Sequence, residues 1–128
     1  MKQGLPQIIK GVGFDFSWDV AKVWKLDVPV VEIDINKLTW HFDIPFYSNN
    51  GQRYSLKPKD VIDNPSQYPQ EQTKMDRVGL NYPIDIMENK GRLLILDGLH
   101  RLMKIYTRGD KTVMVRIIPR DMIPDILK

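Results

Sequence analysis

With 128 residues, 42% of them hydrophobic, the chain is the size of one ordinary domain and has enough apolar material for a real core, so two independent domains are not expected. Its 19 basic and 16 acidic residues leave a net charge of only +3, mixed along the chain, too mild a bias to imply nucleic-acid binding by itself. The absence of cysteine excludes disulfides, thiolate metal sites and a cysteine nucleophile.

The opening MKQGLPQIIKGVGF has a short apolar stretch broken by glycines and does not read as a signal peptide. No segment approaches the roughly 20 apolar residues of a membrane helix, so a cytoplasmic chain without membrane contact is expected. Residues 1–28 read as a loose leader and a short amphipathic helix in FSWDVAKVWKLDVP, with Ser17 as N-cap, Asp19 in the first turn and Pro29 beyond the end. Trp18 and Trp24 would dock that helix on the body.

VPVVEIDINKL gives a strand over Val30 to Ile33 and a helical turn over Asp34 to Leu38. In the aromatic stretch beyond it, Asn49-Asn50-Gly51 is a strong turn signal for a small hairpin with arms at Phe46-Tyr47 and Arg53-Tyr54. Ser55 or Lys57-Pro58 opens a helix ending near Asn64-Pro65, and Gln70 to Val78 makes another before Gly79. Ile84 and Ile86 alternate with Asp85 and Met87 as in a half-buried strand, and RLLIL is a strand apolar on both sides. Leu99, Leu102, Met103 and Tyr106 then fall on one face of a helix that stops at Gly109, and KTVMVRII is a last strand with Val113, Val115 and Ile117 on one face. Strand, helix and strand within a short span look like a βαβ unit. The expected fold is α+β, a small mixed sheet with flanking helices over residues 29–118, and a tail over 119–128.

The chemistry gathers where RLLIL runs into Asp97-Gly98-Leu99-His100-Arg101. If the apolar residues of the helix face the core, His100, Arg101, Lys104 and Arg108 form a basic flank facing solvent. The helix start also carries free backbone N–H groups and the positive end of the macrodipole. Imidazole and guanidinium there work against the dipole unless an anion offsets them, which points to a phosphate-sized anion. Taken singly, Asp97 is a good N-cap, Gly98 a good turn residue, and Arg101 a partner for some carboxylate. A second set of candidates lies in LTWHFDIPF. His41 or Asp43 would serve as a general base near a bound phosphate; the alternative has His41 satisfied by a backbone carbonyl and Asp43 ending a strand. No ligand spacing supports a resident metal.

ILDGLHRLMKIYTRGDKTVMVRII resembles the core motif of the ParB/sulfiredoxin superfamily, in which a strand ends in a D/N-G-x-H-R type turn followed by a helix and another strand. YPIDIMENKGRL and VPVVEIDINKL resemble that family's preceding strands. The resemblance implies a nucleotide-binding fold in which Gly98, Leu99, His100 and Arg101 line the phosphate turn, and Asp97 shapes it or assists metal. It implies a nucleotide, ATP, ADP or CTP, with magnesium, and a small-molecule acceptor if the chain is a kinase; a nucleotide hydrolase is the other enzymatic form. The sulfiredoxin cysteine position is Leu99, which rules out sulfinic-acid repair by that route. A non-enzymatic module that binds DNA or another protein is the rival, with the Trp18/Trp24 helix and the PRDMIPDILK tail as its surfaces.

Overall fold

A computed structural model describes residues 7–11, 13, 14 and 16–128, so readings of residues 1–6, 12 and 15 lie outside the described residues. Its centre is a four-stranded sheet of β1 (Val30–Asp34), β4 (Ile84–Asn89), β5 (Arg92–Asp97) and β6 (Thr112–Ile117), ordered β1-β6-β4-β5. β4 and β6 run parallel, and the two outer pairings are antiparallel. A separate hairpin joins β2 (Tyr47–Asn49) to β3 (Gln52–Leu56) through Asn50 and Gly51, both at positive φ, the backbone that a tight hairpin turn requires. Helices α1 (Gln7–Gly11), α2 (Val20–Trp24), α3 (Pro58–Asp63), α4 (Pro69–Arg77), α5 (Leu99–Thr107) and α6 (Ile123–Ile126) flank the sheet. The fold is α+β with a small mixed sheet.

The expected βαβ unit is not a neighbouring pair. β4 lies between β5 and β6, so the parallel crossover runs from β4 to β6 and carries β5 and α5 within it. On one face of the sheet, Ile84, Ile86, Ile95, Val113 and Val115 pack with Leu102, Met103 and Ile105 of α5, Val61 of α3 and Met75 of α4. Tyr106 is exposed, resting edge-on against Phe42 at 5.1 Å, and Ile105 takes the inward place expected for it. On the other face Met87, Leu96 and Ile118 pack with Val23 of α2 and Ile126 of α6. Ile117 is exposed, and Ile118 is the buried residue at that end of β6.

β4 is therefore buried on both faces, Asp85 and Met87 included, where the alternation in the sequence suggested one wet face. The cover comes from the two ends of the chain. α2 and α6 pack together, Trp18 bridges Leu127, and the Asp19 amide donates to the Ile126 carbonyl at 2.7 Å. With Trp18 engaged in that way, the cap of α2 falls to Asp19, whose carboxylate accepts from the Ala21 amide at 2.9 Å, and not to Ser17. Ile9 and Phe14 from the expected leader are buried against Leu94.

Burying Asp85 requires a cation, and Arg116, its register partner across β4 and β6, supplies one with Nε donating to Oδ1 at 2.7 Å. The same guanidinium donates to the Leu26 and Val23 carbonyls at 2.7 and 3.0 Å and so holds the end of α2. Arg116→Ala should cost about 3–5 kcal/mol, because it strands a buried carboxylate. A fall in the urea midpoint at unchanged m-value reads this out, and pairing the change with Asp85→Leu should restore most of the loss.

Candidate anion site at the start of α5

Between its pairings with Asp85 and Ile86 of β4, β5 carries one extra residue. Ile86 pairs with Ile95 and Asp85 with Asp97, which leaves Leu96 as an extra residue, a β-bulge. The Leu96 carbonyl accepts from the Trp18 indole N–H at 2.9 Å, and the Ile95 amide donates to His41 Nε2 at 3.0 Å. A bulge bends its strand and re-aims the chain beyond it, here the Asp97-Gly98 corner.

Gly98 sits at φ +113° and ψ +21° and occupies the cap position of α5, its carbonyl accepting from the Leu102 amide at 2.8 Å. A Cβ here would meet Ile84 at 3.2 Å and the Arg101 guanidinium at 3.4 Å, so both backbone and space call for glycine. Asp97 is not the cap that its type suggested. Its Oδ2 accepts from the Trp24 indole at 2.7 Å, and no side chain caps the helix, so the first-turn amides of Leu99, His100 and Arg101 have no side-chain partner. Leu99 contributes only that amide to the corner, since its side chain packs against the main core.

His100 and Arg101 are not left outward without partners, as helical spacing alone suggested. His100 Nε2 donates to Oε2 of Glu71 on α4 at 2.7 Å, and its ring stacks on Tyr47 at 4.8 Å. The Tyr47 hydroxyl donates to Met103 Sδ at 3.1 Å, and burial, with the Glu71 carboxylate adding to it, pushes this phenol up so that it stays protonated. Arg101 donates through Nε to the Gly79 carbonyl at 2.7 Å and through Nη1 to the Pro83 carbonyl at 3.3 Å, beneath the Tyr82 ring. Lys104 donates to the Asp76 and Val78 carbonyls at 2.9 and 3.1 Å. Arg101 and Lys104 therefore tie down the end of α4 and the loop leading into β4. At the corner itself the Arg101 Nη2 amine has no described hydrogen bond, and further along the flank Arg108 pairs with Asp110.

His41 is buried, with Nδ1 donating to the Leu38 carbonyl at 2.7 Å and Nε2 accepting from Ile95. Both nitrogens are spent on backbone, so the ring is a structural plug on the outer edge of β5 and has no nitrogen with which to act as a general base. Asp43 is exposed at the end of the same turn. Asp97 and Arg101 instead share an open cleft of about 680 Å³ with Trp24, Tyr82, Asp85 and Arg116. Glu71, Trp24 and Tyr82 were not singled out as site residues from the sequence. Glu71 lies on a different helix, and only the packing of α4 on α5 brings it to His100.

No family model matches the chain, and no curated protein matches it. Among solved structures the chain is similar to the sulfiredoxin from Arabidopsis thaliana, with 18% identity and a TM-score of 0.38, over 75% of this chain and 93% of that one.

The corner and the plug each lead to a testable outcome. Gly98→Ala should cost about 1–3 kcal/mol through backbone strain alone, read from the thermal midpoint. Burial, aided by Arg92 and opposed by the Leu38 bond, holds His41 down at about 4. In the unfolded chain it titrates near its ordinary value of 6.5. Between those values only the unfolded state binds the proton, so stability falls as pH drops through this window, by about 3 kcal/mol at most. Urea titrations across the window should show this acid limb, and His41→Gln should flatten it.

Proposed function

We propose that this chain binds a nucleoside phosphate in the cleft beside Gly98, with phosphate on the first turn of α5 and Arg101, and with the base against Trp24 or Tyr82. One observation carries the reading: residues flanking the uncapped first turn of α5 share a single cleft with two strongly exposed aromatic rings. The volume suits a small-molecule ligand. Free amides, a dipole end and a guanidinium serve the anion, while exposed indole and phenol faces serve any base, since every base has a stacking surface. The cleft mixes two arginines with two aspartates and offers no basic stripe for tracking a nucleic-acid backbone.

Asp97 fits magnesium arriving on the phosphates. One of its oxygens is engaged by Trp24 and the other is not, and magnesium of this kind uses only one or two protein carboxylates beside the phosphate oxygens. When bound, the ion would neutralise phosphate charge. The structure offers His41 no part in proton transfer; of the buried carboxylates near the corner, Asp85 is paired with Arg116 and Glu71 is hydrogen-bonded to His100. Phosphoryl transfer to a small acceptor is the activity proposed for the site, resting on the phosphate reading of the corner.

Titration of ATP, ADP and CTP with magnesium, followed by tryptophan fluorescence, tests the reading. At least one should quench saturably. Tyr82→Ala, at an exposed position that leaves the core intact, should weaken binding by about tenfold, within the range of one base–aromatic stack. Arg101→Ala should weaken it further, with thermal melts run beside it because Arg101 also holds the Gly79 carbonyl. No response to any of the three nucleotides would overturn the proposal.

A further inference from the structure

Of the asparagines in the chain, only Asn50 is followed by glycine, and the pair forms the turn of the β2–β3 hairpin. Both residues are exposed. Neither the Asn50 side-chain amide nor the Gly51 backbone N–H has a hydrogen-bond partner among the described residues, and a Cβ at Gly51 would meet nothing within 4 Å. The backbone nitrogen placed to attack the Asn50 amide carbon is therefore open, with no side chain of its own to obstruct it.

The hairpin is also a weak element. It is a two-stranded sheet of its own, its register is irregular between Tyr47 and Asn49, and Tyr54 in its second strand stands at φ +54°, a strained position for a bulky residue. A turn of this kind opens readily, which lets Asn50 leave its left-handed conformation at φ +53° and present its side-chain carbon to the Gly51 nitrogen.

Elsewhere the chain withholds the same chemistry. Asn64 precedes a proline, which has no N–H, and Asn36, Asn49 and Asn81 precede residues whose side chains hinder the attack. Asn89 is buried, its amide donating to the Gly13 carbonyl and its oxygen accepting from Arg120. Asp97-Gly98 is the acidic counterpart of the pair, but Trp24 holds the Asp97 carboxylate, and Gly98 is packed against Ile84 at the start of α5.

We propose that Asn50 is a self-modifying position in the folded chain. The Gly51 nitrogen attacks Asn50 Cγ and closes a five-membered succinimide; the Gly51 amide proton passes to the side-chain nitrogen, which departs as ammonia. Water then adds to either ring carbonyl. Opening one way gives aspartate on a main chain of normal length, and opening the other way gives isoaspartate, in which the main chain runs through the side chain and gains one methylene. Both products carry a new carboxylate, and only isoaspartate lengthens the turn. The added methylene displaces the pairing of Asn49 with Gln52, and Tyr47, two residues earlier, is the ring stacked on His100 at 4.8 Å. The isoaspartyl form therefore loosens Tyr47 from His100 and removes a support of the α5 corner. This holds whether or not the corner binds a nucleotide.

The intact chain is incubated folded at mildly alkaline pH and sampled over time by trypsin digestion and mass spectrometry. Peptide 38–53 carries Asn50, and peptide 93–101 carries Asp97-Gly98 as the protected comparison. Peptide 38–53 should resolve into aspartyl and isoaspartyl forms, with fragment ions placing the change at Asn50, while peptide 93–101 stays unchanged. Gly51→Asn, which keeps a residue tolerant of positive φ but sets a side chain beside the nitrogen, should abolish the conversion. Isoaspartyl chains, separated chromatographically, are compared with Asn50→Asp, which has the same charge on a main chain of normal length. The His100 ring resonances should shift only in the isoaspartyl chains, as the ring current of Tyr47 is lost. An unchanged peptide 38–53, aspartate without isoaspartate, equal change in the two peptides, or undiminished conversion in Gly51→Asn would overturn the modification site. Identical His100 resonances in the isoaspartyl and Asn50→Asp chains would overturn its coupling to the corner.

Discussion

The ion pair between Asp85 and Arg116 is the constraint on which the working side of this molecule depends. A carboxylate in the central strand of a sheet buried on both faces is tolerable only if a cation is held beside it, and Arg116 is held there by strand register. Having met Asp85, the guanidinium spends its remaining donors on the carbonyls of Val23 and Leu26, at the end of α2. Trp24 lies between those two residues, so its indole is fixed over the cleft, where its N–H meets Asp97. One buried pair thus ties together β4, β6, α2 and a wall of the proposed nucleotide cleft.

The corner itself shows how a basic helix face is divided between folding and binding. Lys104 and two nitrogens of Arg101 satisfy carbonyls at the end of α4 and in the loop after it, which otherwise have no helical partners. His100 is clamped between a carboxylate and a phenol ring. What the protein leaves unspent is the first turn of α5, uncapped because Gly98 has no side chain and Asp97 is turned to Trp24. A rigid corner with free amides is what anion binding asks of a scaffold, because the geometry is set before the ligand arrives.

Sequence patterns of short range were legible. The Asn50-Gly51 hairpin, the strand ending at Asp97, the helix from Leu99 and its stop before Gly109 all arise from turn chemistry and apolar spacing within a few residues. Patterns whose meaning depends on distant chain were not. Asp85 reads as a solvent-facing residue until α2 and α6 close over it, and Tyr106 reads as core although Ile105 takes the inward place. His41 and Glu71 differ from what their local sequence shows for the same reason. Of the two readings of His41, general base or a ring satisfied by a backbone carbonyl, the structure has the second, its nitrogens meeting the Leu38 carbonyl and the Ile95 amide; Glu71 carries no signal in the sequence, and α4 packs it against His100.

By itself, then, the sequence determined the local elements, the glycine corner and the presence of an imidazole and a guanidinium beside a helix start. Those are consequences of backbone sterics and of periodicity, which act between near neighbours in the chain. The tertiary structure alone decided which of these polar groups stay available. Hydrogen-bond partners of buried polar groups are chosen by packing: Glu71 reaches His100 across 29 residues and Trp24 reaches Asp97 across 73.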